Sequence, residues 1–270
     1  MNSGNPTGEI RKREMNFDFS DGGRFWNGDS VFLTVIFNSL SIMLPEGEGY
    51  MIKVARKIVP QIKDDDLRND ARGFIAQEAT HSAQHALYND QLRQQGYPVD
   101  RMERFVRRQL DLALKYLPLK WNAAMMACFE HYTALIGDAS LTNQAWLGKA
   151  NNGYGDLWRW HAVEEVEHKS VTFDMYLATG GGYFLRCFVM VILTINFFTS
   201  LAIVQATLLN HDKKLFHWPT IKEAVKFLFT ESQIVPKYLF KYLAFFSPGF
   251  HPWNDDNKEL INEWIVKNDR

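Results

Sequence analysis

The sequence predicts an all-α protein, and three observations carry this prediction. Apolar residues recur at spacings of three and four across residues 29–178, which is the period of a helix with one buried face. No convincing run alternates between apolar and polar residues, as a half-buried strand would. Several prolines stand where a helix would begin or end. They are Pro45, Pro60, Pro98 and Pro118.

The composition is that of a globular protein with a sizeable core. Of the 270 residues, 46% are hydrophobic and 23% are charged, which excludes a disordered or collagen-like chain. The 30 lysines and arginines balance 31 acidic residues, so no nucleic-acid partner is expected. The two cysteines, Cys128 and Cys187, are too few for a disulfide framework or a cysteine-based zinc site.

The first half of the chain divides into a tail and three helices. Residues 1–25 are polar and contain several glycines, so we expect a loose tail there. Two helices follow over residues 30–43 and 45–59, and the second is expected to start at Pro45. A third helix over residues 64–95 opens with three aspartates, which are favourable in a first turn.

Three more helices complete the predicted bundle domain, which covers residues 26–180. They are expected over residues 101–117, from Pro118 through Glu130, and over residues 154–178. The last of them is expected to stop at three consecutive glycines. A helical extension over residues 181–270 follows.

This extension contains an uncharged segment over residues 187–210. Its 24 residues reach the length of a membrane span, although a buried helix packed on the bundle fits the pattern too. Lysines then alternate with aromatic residues up to Trp253, as in a helix at a membrane surface, and a short amphipathic helix ends the chain.

Glutamates and histidines interrupt the apolar faces of four predicted helices. Glu48 shares its face with apolar residues three, four and seven positions later, so it points to the core. In the next helix, Glu78, His81 and His85 occupy the middle of an apolar series with 4-3 spacing. Glu78 and His81 form Glu-x-x-His, a spacing that places both side chains on one face of the helix.

The two later helices repeat this arrangement. Glu130 is the one charged residue on a face of small and apolar residues. Glu165 and His168 form a second Glu-x-x-His, and His161 lies four residues before Glu165 on the same face. A buried carboxylate is costly unless it is paired or bound to a metal, so these positions indicate a metal site.

Taken together, the pattern is one glutamate from each of two helices and a Glu-x-x-His from each of two others. This set is typical of ferritin-like di-iron and di-manganese carboxylate bundles. The predicted ligands are Glu48, Glu78, His81, Glu130, Glu165 and His168. Two metal ions are expected, with iron favoured by the mixed carboxylate and imidazole donors, and manganese or zinc as alternatives.

Other polar residues near these motifs have ordinary interpretations. Glu164 and Glu167 are expected on solvated surfaces or in local pairs, because the helical period does not bury them. His85 and His131 are open between a hydrogen-bonded core histidine and a residue that orients a metal ligand.

Four segments resemble the bacterial family of predicted metal-dependent hydrolases, and the resemblance covers about residues 20–215. The segments read FxxLSIMLPEGEGYMIKVAR, FIAQEATHSAQH, FEHYTA and WRWHAVEEVEHKSVTFD. More remotely, the ligand order resembles that of p-aminobenzoate N-oxygenase and similar di-iron enzymes. The resemblance implies a ferritin-like four-helix bundle with extra helices, and it implies that His161 is a seventh ligand.

Three functions remain open at this point. The favoured hypothesis is a di-iron oxygenase or oxidase that uses O2. The second is a metal-dependent hydrolase, in which a metal-activated water attacks the substrate and Glu164 serves as the catalytic base. The third is a non-catalytic metal-binding bundle.

The expected partners follow from these hypotheses. They are O2, a hydrophobic or amphiphilic small molecule, an electron donor of unknown identity and the membrane, with a homodimer as a further option. No apolar signal-peptide core precedes residue 25. The cytoplasmic face of the inner membrane is the expected location, with the cytoplasm as the alternative.

Overall fold

The computed structural model describes residues 10–268, without the side chains of residues 235 and 236. The all-α prediction is confirmed, because the described part of the chain forms helices and no strand. The α-helices are α1 (Val31–Ile58), α2 (Asp65–Gln94), α3 (Val99–Tyr116), α4 (Leu119–Thr142), α5 (Gln144–Leu147), α6 (Gly153–His168), α7 (Val171–Ala178), α8 (Tyr183–His211), α9 (Trp218–Lys226), α10 (Leu239–Ala244) and α11 (Lys258–Asn268).

Four rods form the centre of the bundle. They are α1, α2, α4 and the pair α6–α7. α1 packs along α2, and α4 packs along α6 and α7, so the apolar faces predicted from the sequence meet in the interior, where the buried residues form two large clusters. α3 covers α1 from outside, and α8 lies across α1 and α4. The predicted division into domains at residues 25 and 180 stays a prediction.

α1 passes through Pro45 without ending, so the predicted start of a second helix at this residue is wrong. Proline has no N–H to donate to the carbonyl four residues earlier, which belongs to Ser41. The side chain of Asn89 on α2 supplies the missing donor, since its Nδ2 lies 3.0 Å from the Ser41 carbonyl oxygen. A contact between distant residues therefore replaces the helical hydrogen bond.

Replacing Asn89 with alanine is expected to destabilise the protein by about 1–3 kcal/mol, the usual cost of leaving buried polar groups unsatisfied. The affected groups are the carbonyl and the hydroxyl of Ser41, both of which bond to Asn89. Urea unfolding of N89A measures the loss. The double variant P45A/N89A should recover part of it, since an alanine at position 45 has a backbone N–H that can donate to the Ser41 carbonyl. A P45A change with no effect in the N89A background would contradict this account.

The N-terminal segment packs against the bundle over its described residues. Ile10 is buried against α2, and Phe19 is buried beside Tyr154 with ring centroids 4.8 Å apart. Residues 10–25 are thus not the loose tail predicted for residues 1–25, because their few apolar and basic side chains find partners far away in the sequence. Residues 1–9 lie outside the described residues.

The second half of the chain differs from the prediction in two places. The helix predicted over residues 154–178 is interrupted after His168, although Lys169 and Ser170 keep right-handed helical dihedral angles. The lysine and aromatic segment is not a uniform surface helix, since Phe227 and Tyr238 are buried. It contains π-helical turns at Phe227–Glu231 and Ile234–Tyr238.

Candidate metal centre

All seven predicted metal ligands lie in the interior of the bundle. Each is at most 3% exposed, so none of the carboxylates points to solvent. Glu48 comes from α1, Glu130 from α4, and each Glu-x-x-His from α2 or α6. Because these residues sit on the apolar seams of their helices, the same packing that builds the core brings them together.

The imidazole of His81 is held from outside the centre. Its Nε2 donates to Glu164 Oε2 at 2.9 Å. The other oxygen of Glu164 accepts from Trp160 Nε1 at 2.9 Å and from Arg13 at 3.0 Å. Because Glu164 only accepts hydrogen bonds here, it fixes one proton of His81 on Nε2, and in the neutral imidazole Nδ1 is the nitrogen that can bind a metal.

The imidazole of His168 is held in the same way by Gln77. The amide nitrogen of Gln77 donates to the Arg11 carbonyl at 2.9 Å and to Glu167 at 3.1 Å. Its oxygen is then free to accept from His168 Nε2, 2.7 Å away. This hydrogen bond thus fixes a proton of His168 on Nε2, and Nδ1 points inward.

His161 is fixed by a directional chain of hydrogen bonds. Because the amide nitrogen of Asn89 donates elsewhere, its oxygen accepts from the Ser41 hydroxyl at 2.9 Å. Ser41 then accepts from His85 Nδ1 at 3.0 Å, and His85 Nε2 accepts from His161 Nδ1 at 3.2 Å. His161 Nε2 is left without a proton, 3.2 Å from Glu165 Oε1.

In the neutral form of these three histidines, the inner nitrogens carry lone pairs and face carboxylate oxygens. His168 Nδ1 lies 3.0 Å from Glu78 Oε1, and His81 Nδ1 lies 3.4 Å from Glu165 Oε1. Two lone pairs at such distances repel unless a cation or a proton separates them. The donor set of carboxylate and imidazole groups suits a divalent transition metal.

These donors fall into two compact groups. The ligand atoms of Glu78, His81, Glu165 and His168 all lie within 4.8 Å of one another. Glu48, His85 and His161 form the second group with the same spacing. Glu130 stands beside the first group, 3.8 Å from His168 Nδ1.

The protonation of the centre without metal depends on burial and on neighbouring charge. Burial raises the pKa of Glu48 and of Glu130 well above the usual value, and a further carboxylate beside each adds to the effect. Burial lowers the pKa of His81, but hydrogen bonds to three carboxylates outweigh it and hold this pKa well above the usual range. Burial and the neighbouring His81 lower the pKa of His161 to about 4. Protons therefore occupy part of the centre when metal is absent.

Glu164 does not lie on an open face of the centre. Both of its oxygens are engaged by His81, Trp160 and Arg13, and it is fully buried. Glu167 is buried too, in a bidentate pair with Arg13. Neither glutamate is on a solvated surface, as one of the two expectations had it, because the N-terminal segment covers them, and their ion pairs are with the distant Arg13.

His131 is not part of the metal centre, whereas Gln77 and Arg13 support it. His131 lies away from the centre, with its ring against Phe245 and Phe250, and burial lowers its pKa to about 3. Sequence reasoning missed Gln77 and Arg13. Gln77 directly precedes Glu78 in an apolar setting, which is a usable signal, whereas nothing in the sequence links Arg13 to residues about 150 positions later.

Replacing Arg13 with alanine is expected to weaken metal binding about 10–100-fold, the usual effect of losing a group that orients a ligand. The change frees Glu164 and Glu167, so His81 and Gln77 lose their fixed partners. Metal affinity of R13A, measured by competition with a chelator, tests this. The neighbouring exposed Lys12 provides the control, and K12A should match the wild type. Equal affinities for R13A and K12A would contradict the prediction.

A comparison with protein families decides the broader class. The family model described as "predicted metal-dependent hydrolase" matches residues 11–256, which is most of the chain. The chain belongs to this family. The expected family resemblance is confirmed, and the family description indicates a metal-dependent enzyme, in agreement with the buried histidine and glutamate groups.

The favoured hypothesis of a di-iron oxygenase is wrong in light of this match. The family is described as hydrolytic, which agrees with the alternative hypothesis. The same carboxylate and imidazole donors can hold an ion for either reaction, so the ligand pattern did not separate the two. Comparison with curated proteins and with solved structures finds no match. The ferritin-like topology stays a prediction.

Proposed function

We propose that the protein is a hydrolase in which a divalent metal ion, held by Glu78, His81, Glu165 and His168, activates water. The observation that supports this most is that His81 and His168 each donate a hydrogen bond from the outer nitrogen, which places the inner nitrogen 3.0–3.4 Å from a carboxylate oxygen. A bound divalent ion would supply Lewis acidity and lower the pKa of a coordinated water toward about 7.

The catalytic base in this proposal is Glu48 rather than Glu164. Both oxygens of Glu48 are buried without a hydrogen-bond partner, whereas those of Glu164 are all engaged. Glu48 lines an apolar pocket that leads away from the centre, so it stands between metal and substrate. Burial and the neighbouring Glu78 raise the pKa of Glu48 well above its usual value, which makes its carboxylate a stronger base.

The test combines metal analysis with hydrolysis assays. Metal-free protein is loaded in turn with zinc, manganese and, without air, iron, and is assayed on nitrophenyl esters, an anilide and a phosphoester. We expect hydrolysis that a chelator removes and metal restores. E48Q should keep its metal and lose about 10²–10⁴-fold in kcat. Metal-independent hydrolysis, or none with any substrate class, would overturn the proposed function. Loss of metal in E48Q would make Glu48 a ligand instead.

We further propose that the enzyme sits on a membrane through the outer face of α8. This helix is the one in the described residues that is long and apolar enough to cross a bilayer, but one face is buried on α1 and α4. The outer face is apolar and about half exposed. Its residues include Phe188 (54%), Ile192 (52%), Ile195 (63%) and Phe198 (52%). An apolar surface of this kind favours contact with lipid.

The groups after α8 fit a membrane surface. Phe216 and Trp218 are exposed, and Lys222 lies over the Trp218 ring at 5.5 Å. Aromatic and basic side chains of this kind are favourable at lipid headgroups. Because the inner face of α8 is occupied by protein, the geometry favours a helix lying in one leaflet over an isolated span.

Fractionation of cells without detergent tests this attachment. The wild type should remain in the membrane pellet after washes with high salt and carbonate. The double variant I195E/F198E should move to the soluble fraction, whereas V266E, which changes an exposed apolar residue on α11, should not. Wild-type protein that is soluble and monodisperse would overturn the attachment. A soluble dimer that dissociates in I195E/F198E would identify the face as a contact between two copies.

A further inference from the structure

An apolar pocket extends from the metal centre to α8. It lies between α1, α3, α4, α6 and α8, and it reaches the centre at Glu48 and His161. Apart from these two residues, most of the pocket wall is apolar. The apolar residues include Met51, Leu110, Phe129, Ile136, Trp158 and Phe197. A ligand there would place a polar end at Glu48 and an apolar body along the pocket.

The polar side chains at the outer end of this pocket are paired with one another. Asn196 of α8 donates to Gln109 of α3 at 2.6 Å, and Gln109 donates to Ser200 at 3.3 Å. Thr133, in the wall, donates to the backbone of its own helix. Because these groups satisfy each other, the unpaired polar atoms of the pocket are concentrated at its inner end.

The outer end of the pocket lies beside the exposed face of α8. Asn196 lies there, and a neighbouring cavity of about 250 Å³ shares Gln109, Leu110 and Asn196 with the pocket. That cavity is lined in turn by Phe188 and Ile192, which belong to the outer apolar face of α8. The hydrogen-bonded pair of Asn196 and Gln109 therefore stands between the pocket and a cavity at the proposed membrane surface.

We infer that the pocket binds the acyl chain of an amphiphile taken from the bilayer, with the small polar end at Glu48 and His161 and the chain running toward Asn196. The inference rests on the proposed function, since it assigns the substrate class of the same site. An apolar passage that ends in a few polar groups is the usual design of a site for such a ligand. A bulky headgroup does not suit the inner end, because the centre is enclosed on all sides by helices.

Gly47 and Gly49 of α1 offer a matched pair of variants. A Cβ atom added at either position meets no atom within 4 Å, so neither glycine is required by packing. Gly47 lines the pocket and Gly49 does not. Replacing either with phenylalanine should affect the helix propensity of α1 similarly, whereas only the ring at position 47 would enter the pocket.

The experiment uses the full chain, loaded with metal, on vesicles of phosphatidylcholine and phosphatidylglycerol. A photoreactive palmitic acid analogue is the probe, and cross-linked residues are identified by mass spectrometry. In the wild type we expect labels on pocket residues of α3 and α4. G47F should reduce this labelling by at least about tenfold, because its ring occupies the space of the chain. G49F should label like the wild type, and metal content should be equal in all three proteins.

Two results would overturn the inference. One is labelling confined to the outer face of α8, which would mean contact with lipid only. The other is equal pocket labelling of G47F and the wild type. The proposed function can fail separately. If G47F removes the pocket labelling but the protein hydrolyses none of the ester, anilide and phosphoester substrates, the acyl-chain site is supported and the hydrolase function is refuted.

Discussion

Replacing Glu78 with alanine is expected to abolish metal-dependent activity and to weaken metal binding by more than about 100-fold, beyond the effect typical of an orienting residue. Glu78 stands between the two motif histidines, with Oε1 3.0 Å from His168 Nδ1 and 3.6 Å from His81 Nδ1. Its oxygens have no other hydrogen-bond partner in the described structure. The change thus removes the carboxylate that faces both imidazoles.

Thermal unfolding of E78A shows whether the loss of metal binding is due to a loss of folding. In the metal-free protein, Glu78 raises the pKa of Glu48 and of Glu130 by repulsion, so its removal lessens the crowding of buried acids. We expect the metal-free variant to melt no more than a few degrees from the metal-free wild type. The rise in Tm on adding metal, which follows from binding to the folded state, should disappear.

The control for this variant is Glu46→Ala. Glu46 lies on α1 two residues before Glu48, and it pairs with Arg107 at the surface, away from the centre. E46A should bind metal like the wild type, because a surface ion pair contributes at most about 1 kcal/mol to stability. If E78A kept wild-type metal stoichiometry and affinity, the assignment of the centre would be wrong.

The helical period was sufficient to place the candidate ligands. A glutamate or histidine on an apolar seam must be buried when the helix packs, and a buried charge needs a partner. Two Glu-x-x-His motifs and the isolated Glu48 and Glu130 therefore pointed inward from sequence alone, and the structure brings them together. His85 belonged to the same series, and its neighbour Asn89 continues the spacing by four.

Contacts between distant segments could not be predicted in this way. The spacing of apolar residues in α1 does not indicate that Asn89 donates a hydrogen bond to the Ser41 carbonyl, which Pro45 leaves without its helical donor. Likewise, no local pattern shows that Arg13 covers Glu164 and Glu167. Each of these features depends on which surfaces meet after folding, and the helical period describes only the residues of one helix.

The reaction type was beyond the reach of the ligand pattern. Carboxylates and imidazoles bind several metals, and one centre can serve redox chemistry or hydrolysis according to what else surrounds it. The groups that discriminate, such as an unengaged carboxylate beside a substrate pocket, are recognised only in three dimensions. Glu164 shows this directly, since its place next to Glu165 in the sequence gave no hint that Arg13 and His81 hold it.

Metal binding at neutral pH is expected to release protons, and the affinity should rise with pH. Without metal, the raised pKa values of His81, Glu48 and Glu130 keep protons in the centre. His81 must lose its inner proton to bind an ion, and the positive charge of the ion lowers the pKa of the nearby Glu48 and Glu130, so their protons leave as well. Titration calorimetry in buffers of different ionisation enthalpy should give about one to three protons per metal site, and E48Q should release about one fewer.

The same groups set the pH dependence of stability with and without metal. A group whose pKa is raised on folding stabilises the native state fully below its unfolded pKa, and this contribution is lost as pH rises through the folded pKa. His81, Glu48 and Glu130 all have raised values, so the metal-free protein should lose stability as the medium becomes alkaline. Metal binding gains affinity over the same range. The difference in Tm between metal-loaded and metal-free protein should therefore widen between about pH 6 and pH 8.5. A difference that narrows would show that protons on these groups do not compete with metal binding.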